Sequence, residues 1–571
     1  MVAKPICPMP PRTRHRLLHP SAVLAAFLYC HLATAQLGIT QPPLSTPPLP
    51  AVVPKASDDH FVLPPIDEKT SLPSTSTAAM RIERIRYIGN RRFSADQLDA
   101  IAAPYLGRPL AAADIEDLRL RLTRHYIDAG FINSGVQLRP GALADGTLTM
   151  HVIEGEISFV RLRGLERLDE DYVVGRLLPD QTAALNINEL RERFQLLLAD
   201  PLLASAQARL IPDSQPGRAI LDIDIVRARP YQLTSYVNNY RTASVGEQTF
   251  GLTGWLRNAT GWGDYAEIAL QQGEAPYNGN RRQTLLWSIP LGSAGTELGL
   301  FSDHAEATVV EQPAKSLDIR SEQHTSEIRL SQSLLENLRQ KLSFGLTYNQ
   351  RSNSSFLLGM PFSFAPGEVD GITRSHGWRF WQEYAQRWET QALVLRSTFS
   401  RNRNNLHAMA GAPADENTLW LGQAHLARRL TDGGLQLSLR GSIQLTDQRL
   451  PAMDQLGIGG NQTVRGFREN QLLRDRGQII NLDLAYPVWA SPANKASLSL
   501  GVFHDIGSGR NHGEKALSLN ASGLTAKASY GNLRADLAYA LRRHRPASLG
   551  EVPDTLQDRG LHIQVAYQFF D

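Results

Sequence analysis

From Gln232 to the end of the chain, apolar and polar residues alternate in stretches of about ten, separated by turns rich in Gly, Asn and Asp. A period of two marks strands that present one apolar face and one polar face. Sixteen such strands are predicted: 232–241, 247–258, 264–272, 281–290, 296–305, 319–332, 341–351, 373–385, 389–401, 417–430, 434–447, 477–489, 495–506, 521–530, 532–541 and 561–570. Each is close to the length that a tilted strand needs to cross a bilayer. In 434–447, Leu435, Leu437, Leu439, Ile443 and Leu445 share one face, and Gln436, Ser438, Arg440, Ser442, Gln444 and Thr446 share the other. In 561–570, Leu561, Ile563, Val565, Tyr567 and Phe569 lie opposite His562, Gln564 and Gln568.

Before Gln232 the period changes to that of helices. Residues 81–154 read strand, helix, helix, strand, strand. Ile82, Ile85, Tyr87 and Ile88 fall in the first strand, Ser94 can cap a helix through Leu98 and Ile101, and Asp114 opens a second carrying Ile115, Leu118, Leu122 and Tyr126. Residues 156–228 repeat that order at about 75 residues, with Leu190, Phe194, Leu197 and Leu198 on the second helix. The bland alternative is a pair of generic α+β modules. Residues 36–79 hold nine prolines and many Ser and Thr, the composition of an extended linker.

The first 35 residues change the composition. Lys4, Arg12, Arg14 and Arg16 precede an apolar stretch from Leu17 to Leu32, and Ala33-Thr34-Ala35 follows it, the layout of a cleaved secretory leader. The whole chain of 571 residues carries a formal charge of +3; without the leader's four basic residues, 55 basic stand against 56 acidic, a net of −1. That removes the compositional case for a nucleic-acid partner. Both cysteines, Cys7 and Cys30, fall in the leader, so a disulfide scaffold and a Cys₄ metal site are excluded. Phe27-Leu28-Tyr29 before Cys30 fits a lipoprotein cleavage site poorly.

A secreted, alternating chain is either a soluble all-β protein or an outer-membrane barrel. A sandwich would show its polar face to bulk water. Here that face carries Arg440 and Asp483, which suits a wet lumen. All eight tryptophans fall between Trp255 and Trp489, which suits interfacial belts. After the leader no apolar run is long enough for a membrane helix. Enzyme chemistry finds no support. No P-loop, G-x-S-x-G or H-E-x-x-H occurs, His125 has no second ligand at i+4, and His504 and Asp505 point to opposite faces of a strand. No metal or cofactor is expected.

Two motifs carry the candidate site. The longest gap between strands in the second half, about 448–476, contains Val464-Arg465-Gly466-Phe467. Parity puts Leu498, Leu500 and Val502 toward lipid, and hence Phe503 and Asp505 of Phe503-His504-Asp505-Ile506-Gly507 toward the lumen. If the gap folds inward, Arg465 and Asp505 can form a bidentate pair. Alternatively Asp505 merely lines a wet pore.

Val464-Arg465-Gly466-Phe467 resembles the inward-folded loop motif of the BamA/TpsB superfamily, and Phe503-x-Asp505-x-Gly507 resembles its partner strand motif. The two repeats resemble POTRA domains. Taken over nearly the whole mature chain, the resemblance is to the TpsB transporters of two-partner secretion. It implies a membrane β-barrel of 16 antiparallel strands at 232–571, preceded by two periplasmic POTRA domains at 81–154 and 156–228. It also implies export, without nucleotide hydrolysis, of a large secreted exoprotein of adhesin or haemolysin type, bound by the POTRA domains. An assembly or insertion factor for outer-membrane proteins is the alternative within the superfamily, and a passive porin the alternative outside it. The family setting further implies contact with outer-membrane lipid and, during biogenesis, with the assembly machinery, for which Tyr567, Phe569 and Phe570 are the expected C-terminal signal. Val136–Leu138 and Ala206–Leu210 are candidate strands for capturing an extended partner segment. Whether a plug helix precedes the first POTRA domain stays open.

Overall fold

The computed structural model describes residues 61–62, 80–180, 182–273, 280–312, 314–547 and 555–570. The expected leader lies outside them, as does all of 36–79 except Phe61 and Val62, which form a short strand β1.

Two α+β modules follow. The first comprises β2 (Arg84–Ile88), α1 (Ala95–Ala102), α2 (Ala112–Asp128), β3 (Gly135–Gln137) and β4 (Thr147–Ile153). Ser94 starts α1 with a capping box: its hydroxyl accepts from the Gln97 N–H and the Gln97 side chain accepts from its own. In α2 the buried residues Ile115, Leu118, Leu122 and Tyr126 recur at three and four, forming the stripe that packs on the sheet. β4 is central, with β2 parallel on one side and β3 antiparallel on the other. Ile82 lies just outside β2, yet is fully buried in the same core. Leu118→Ala should cost the module about 2–5 kcal/mol by opening a cavity. Faster tryptic cleavage within 80–155, with the heat-modifiable gel shift of the barrel unchanged, is the expected result.

The second module repeats the order with β5 (Glu156–Arg163), α3 (Glu170–Leu177), α4 (Ile187–Leu198), β6 (Leu203–Pro212) and β7 (Arg218–Arg227). Leu221, Ile223 and Ile225 of the central β7 point into the helices, as their alternation requires. β7 pairs parallel with β5 and antiparallel with β6. β1 adds to the far side of β6 in parallel, with Phe61 opposite Ala208 and Val62 opposite Arg209.

The sheet edges correct the candidate capture strands. At β3, Val136 N–H donates to the Thr123 hydroxyl at 3.0 Å and Val136 O accepts from Arg119 Nη1 at 3.2 Å. Helix α2 therefore seals that edge with side chains. At the β6 edge, β1 takes Ala208 and Arg209. The opposite ends of the two sheets are β2 and β5.

The described residues from Tyr231 onward close into an antiparallel barrel of sixteen strands, from Tyr231–Asn238 to Leu561–Gln568, and each predicted stretch holds one of them. A two-residue piece, Met360–Pro361, only prolongs the seventh strand's hairpin. The wall follows the alternation. Ile268, Leu285, Ile328 and Leu330 are exposed on the outside, while Thr347, Asn349, Asn402 and Asn417 are buried on the inside. Tryptophan placement departs from the expected belts. Trp262, Trp378, Trp388 and Trp489 are exposed, but Trp255 and Trp381 sit on the lumenal parity, where Arg257 and Arg396 stack on them at 4.1 and 4.5 Å. The strands are unequal: the first has 8 residues and the seventh 18.

Candidate functional site: a loop locked inside the barrel

The eleventh strand, Gln436–Leu445, and the twelfth, Arg476–Ser491, are joined by a segment that turns back into the lumen. It carries its own hairpin, Leu456–Ile458 with Leu472–Arg474. Leu456, Ile458, Val464, Phe467 and Leu472 form a dry cluster with Ile479, Phe503, Leu519, Ala521, Ala538 and Ala540 of the twelfth to fifteenth strands. The lumen is therefore apolar beneath the loop, where strand alternation alone implied water.

Small residues make the fit possible. Gly507 packs so closely that a Cβ there would stand 2.3 Å from Ile458 Cγ2 and 2.7 Å from Val464 Cγ2. Gly466 has φ +87°, and a Cβ on it would approach Ala540 Cβ to 2.5 Å.

Arg465 lies at the centre. Its Nε donates to Asp505 Oδ2 at 2.7 Å and its Nη2 to Asp505 Oδ1 at 2.8 Å, a bidentate fork. Its backbone N–H adds a third bond to Asp505 Oδ2 at 3.0 Å. Asn481 Nδ2 supplies a fourth donor to that carboxylate at 2.8 Å. The remaining guanidinium nitrogen, Nη1, donates to Asp483 Oδ1 at 2.6 Å, and Arg440 stands 3.6 Å from the other Asp483 oxygen. The Phe503 ring centroid is 3.7 Å from the guanidinium carbon. Two cations thus face two carboxylates, and Asp505 is fully buried. Such a pair is strong against the loss of one member, because a lone charge would remain in a dry pocket.

Val464, Arg465, Gly466 and Phe467 are thus brought together with Phe503, Asp505 and Gly507. Tyr567 and Phe569 lie elsewhere, on the outer face at the periplasmic end of the last strand, with ring centroids 5.3 Å apart; Phe570 meets Tyr231 of the first strand at 5.3 Å. The motifs did not mark several further contacts. Asp483 is lumenal by parity, but nothing in its spacing points to Arg465. Arg351 of the seventh strand donates to Met453 O at 2.7 Å and to Asp454, tying the loop base to the opposite wall. Arg468 forks onto Asp558 and onto Glu311, and Gly466 N–H donates to His562 Nε2 at 2.9 Å. These partners lie far along the chain, and only barrel closure brings them within reach.

Fold and site define an outer-membrane β-barrel transporter with an N-terminal POTRA module on the periplasmic side. Residues 80–155 match the ShlB-type POTRA domain, and residues 217–529 match the haemolysin secretion/activation protein family ShlB/FhaC/HecB. The second match spans more than half of the chain, which belongs to that family of two-partner secretion transporters. The chain is 22% identical over 451 residues to the outer membrane transporter CdiB of Dickeya dadantii, covering 76% of each chain. It is 25% identical over 405 residues to the hemolysin transporter protein ShlB of Serratia marcescens, covering 66% of this chain and 67% of the other. Among solved structures, CdiB from Escherichia coli superposes with a TM-score of 0.68 at 17% identity, covering 97% of this chain and all of that one.

Proposed function

We propose that this transporter exports a large, unfolded exoprotein of adhesin or haemolysin type from the periplasm to the cell surface, with no nucleotide hydrolysis at the membrane. The observation that carries this reading is the lumenal loop pinned by Arg465. The buried Arg465–Asp505 pair and the apolar seat fix this segment inside the lumen that an exported chain would thread. The sequence also lacks a phosphate-binding loop, so folding of the emerging partner outside is left to bias its movement.

In this reading the two α+β modules dock the partner's N-terminal secretion region. An extended segment can add to a sheet edge through main-chain hydrogen bonds. With β3 held by α2 and β6 paired to β1 at Ala208 and Arg209, the opposite sheet ends, β2 and β5, are the proposed docking edges. Val464, Arg465, Gly466 and Phe467 hold the loop, Phe503, Asp505 and Gly507 receive it, and Tyr567, Phe569 and Phe570 form the end read by the assembly machinery. Residues 1–35 act as the removable leader and 36–79 as the linker.

Deleting residues 81–154 tests the docking role. Partner export should fall to background while the barrel still inserts, measured by surface immunodetection of the partner beside heat-modifiability of the barrel. Export that persists at the native level would refute docking by this module.

A further inference from the structure

The barrel closes where its ladder is shortest. The first and last strands pair only over Thr234–Asn238 with Gln564–Gln568, five residue pairs. Thirteen pairs join the fifth and sixth strands. Above those five, one residue continues the ladder with its backbone and its side chain together. Asn239 N–H donates to Ile563 O at 3.2 Å, its Oδ1 accepts from Ile563 N–H at 2.8 Å, and its Nδ2 donates to Leu561 O at 2.8 Å. An asparagine thus extends the ladder by imitating backbone.

Gln557, on the segment leading into the last strand, continues that work and also reaches the loop. Its side chain is fully buried. Nε2 donates to Asn239 O at 2.5 Å and to Arg241 O at 2.6 Å, both just beyond the first strand. Oε1 accepts from the backbone N–H of Glu469, two residues past Phe467, at 3.0 Å. Its backbone is held as well: N–H donates to Glu247 Oε2 at 3.1 Å, beside Leu556 N–H on Oε1 at 2.8 Å, and Gln557 O accepts from Arg542 Nη2 at 3.1 Å. Arg542 Nε in turn donates to Gly466 O at 2.6 Å. One amide therefore satisfies all its donors and its acceptor by bridging three things: the end of the first strand, the approach to the last strand, and the inward loop.

We infer that Gln557 is a clasp coupling the inward loop to the extracellular end of the barrel seam, so that the loop leaves its seat only as the first and last strands loosen. The inference deepens the proposed export function by naming what releases the loop. The physics is cooperative. A buried amide that loses the Glu469 N–H cannot find water, so the cost of withdrawing the loop includes an unsatisfied group at the seam. Gln557 acts through the loop and the seam and is a positioning residue.

Two cysteine reporters in the full-length chain, inserted in outer membranes without partner, test the clasp. The native cysteines Cys7 and Cys30 precede the described residues and leave the barrel free of thiols. Val464→Cys reports the loop, since Val464 is fully buried in its seat. Val237→Cys with Val565→Cys reports the seam, since the two are opposed across it on the outer face. Gln557→Ala should raise maleimide labelling at position 464 by about tenfold, equivalent to the loss of one or two hydrogen bonds. It should also lower the yield of the 237–565 disulfide. Forming that disulfide first, in the Gln557→Ala chain, should return loop labelling toward the native rate. A side chain that merely stabilised its own loop would show no such suppression. Should Gln557→Ala fail to insert, Glu247→Gln weakens the same clasp from the connection between the first and second strands and is read identically. Faster loop labelling with an unchanged seam, or no effect of the seam disulfide on the loop, would overturn the inference. Because neither readout involves export, a failed clasp and a failed export function are separately visible.

Discussion

Arg465→Ala is expected to abolish most partner export while the barrel still inserts. The guanidinium gives up two bonds to Asp505 and one to Asp483, and both carboxylates remain where it was. Removing one member of a buried pair costs about 3–5 kcal/mol, much of it the uncompensated charge left behind. That energy was holding the loop, not the barrel. The barrel ladder needs none of these side chains, so heat-modifiable mobility should be native. Asp505→Asn should be milder, because its side-chain oxygen can still accept from Arg465 and Asp483 still faces the guanidinium. The informative variant is the double. Arg465→Ala with Asp505→Asn relieves the stranded charge at position 505, so its export and its loop-seating defects should be no worse than those of Arg465→Ala alone. Fully additive defects in the double variant would contradict direct coupling.

Gly507→Val should produce the second large effect by steric exclusion instead of lost charge. The first added carbon already meets Ile458 and Val464 well inside contact distance, and two methyl groups follow. The loop must lift off the wall, since the thirteenth strand is held on both sides by its ladder and cannot recede. Overpacking of this kind costs about 1–3 kcal/mol, or more where relaxation is blocked. In planar bilayers the variant should show a larger and noisier conductance than the native protein. Gly441→Ala is the control, because a Cβ at that barrel position meets nothing within 4 Å. A native conductance for Gly507→Val would mean that the loop does not seat against this strand.

These effects separate what local pattern encodes from what closure creates. The sixteen strands were readable because lipid imposes the same rule on every one of them: apolar outward at every second residue. Arg465 and Asp505 were readable because each sits in a short motif and parity points Asp505 inward. Glu311, Arg542 and Gln557 carried no such mark, and His562 had its parity but no motif. Arg468 and Glu311 are 157 residues apart, and their contact exists only because the loop crosses to a wall that the barrel brings round. The apolar lumenal patch was hidden for a related reason. Leu519, Ala521, Ala538 and Ala540 look like breaks in a wet face until the loop that covers them is in place. Edge availability was equally beyond the sequence, since Thr123 and Arg119 seal β3 from a helix surface that shows nothing unusual in its spacing.

The unequal strand lengths set the thickness of membrane that the wall can tolerate. A tilted strand needs roughly 9–11 residues to span the hydrocarbon layer. The first and last strands have 8 each, while the sixth and seventh have 17 and 18. Lipid around the long strands meets a full apolar band with wall to spare. A wall shorter than the hydrocarbon layer is matched by local thinning of the bilayer. The shortest strands of the wall are therefore also the pair that the fewest backbone hydrogen bonds hold together.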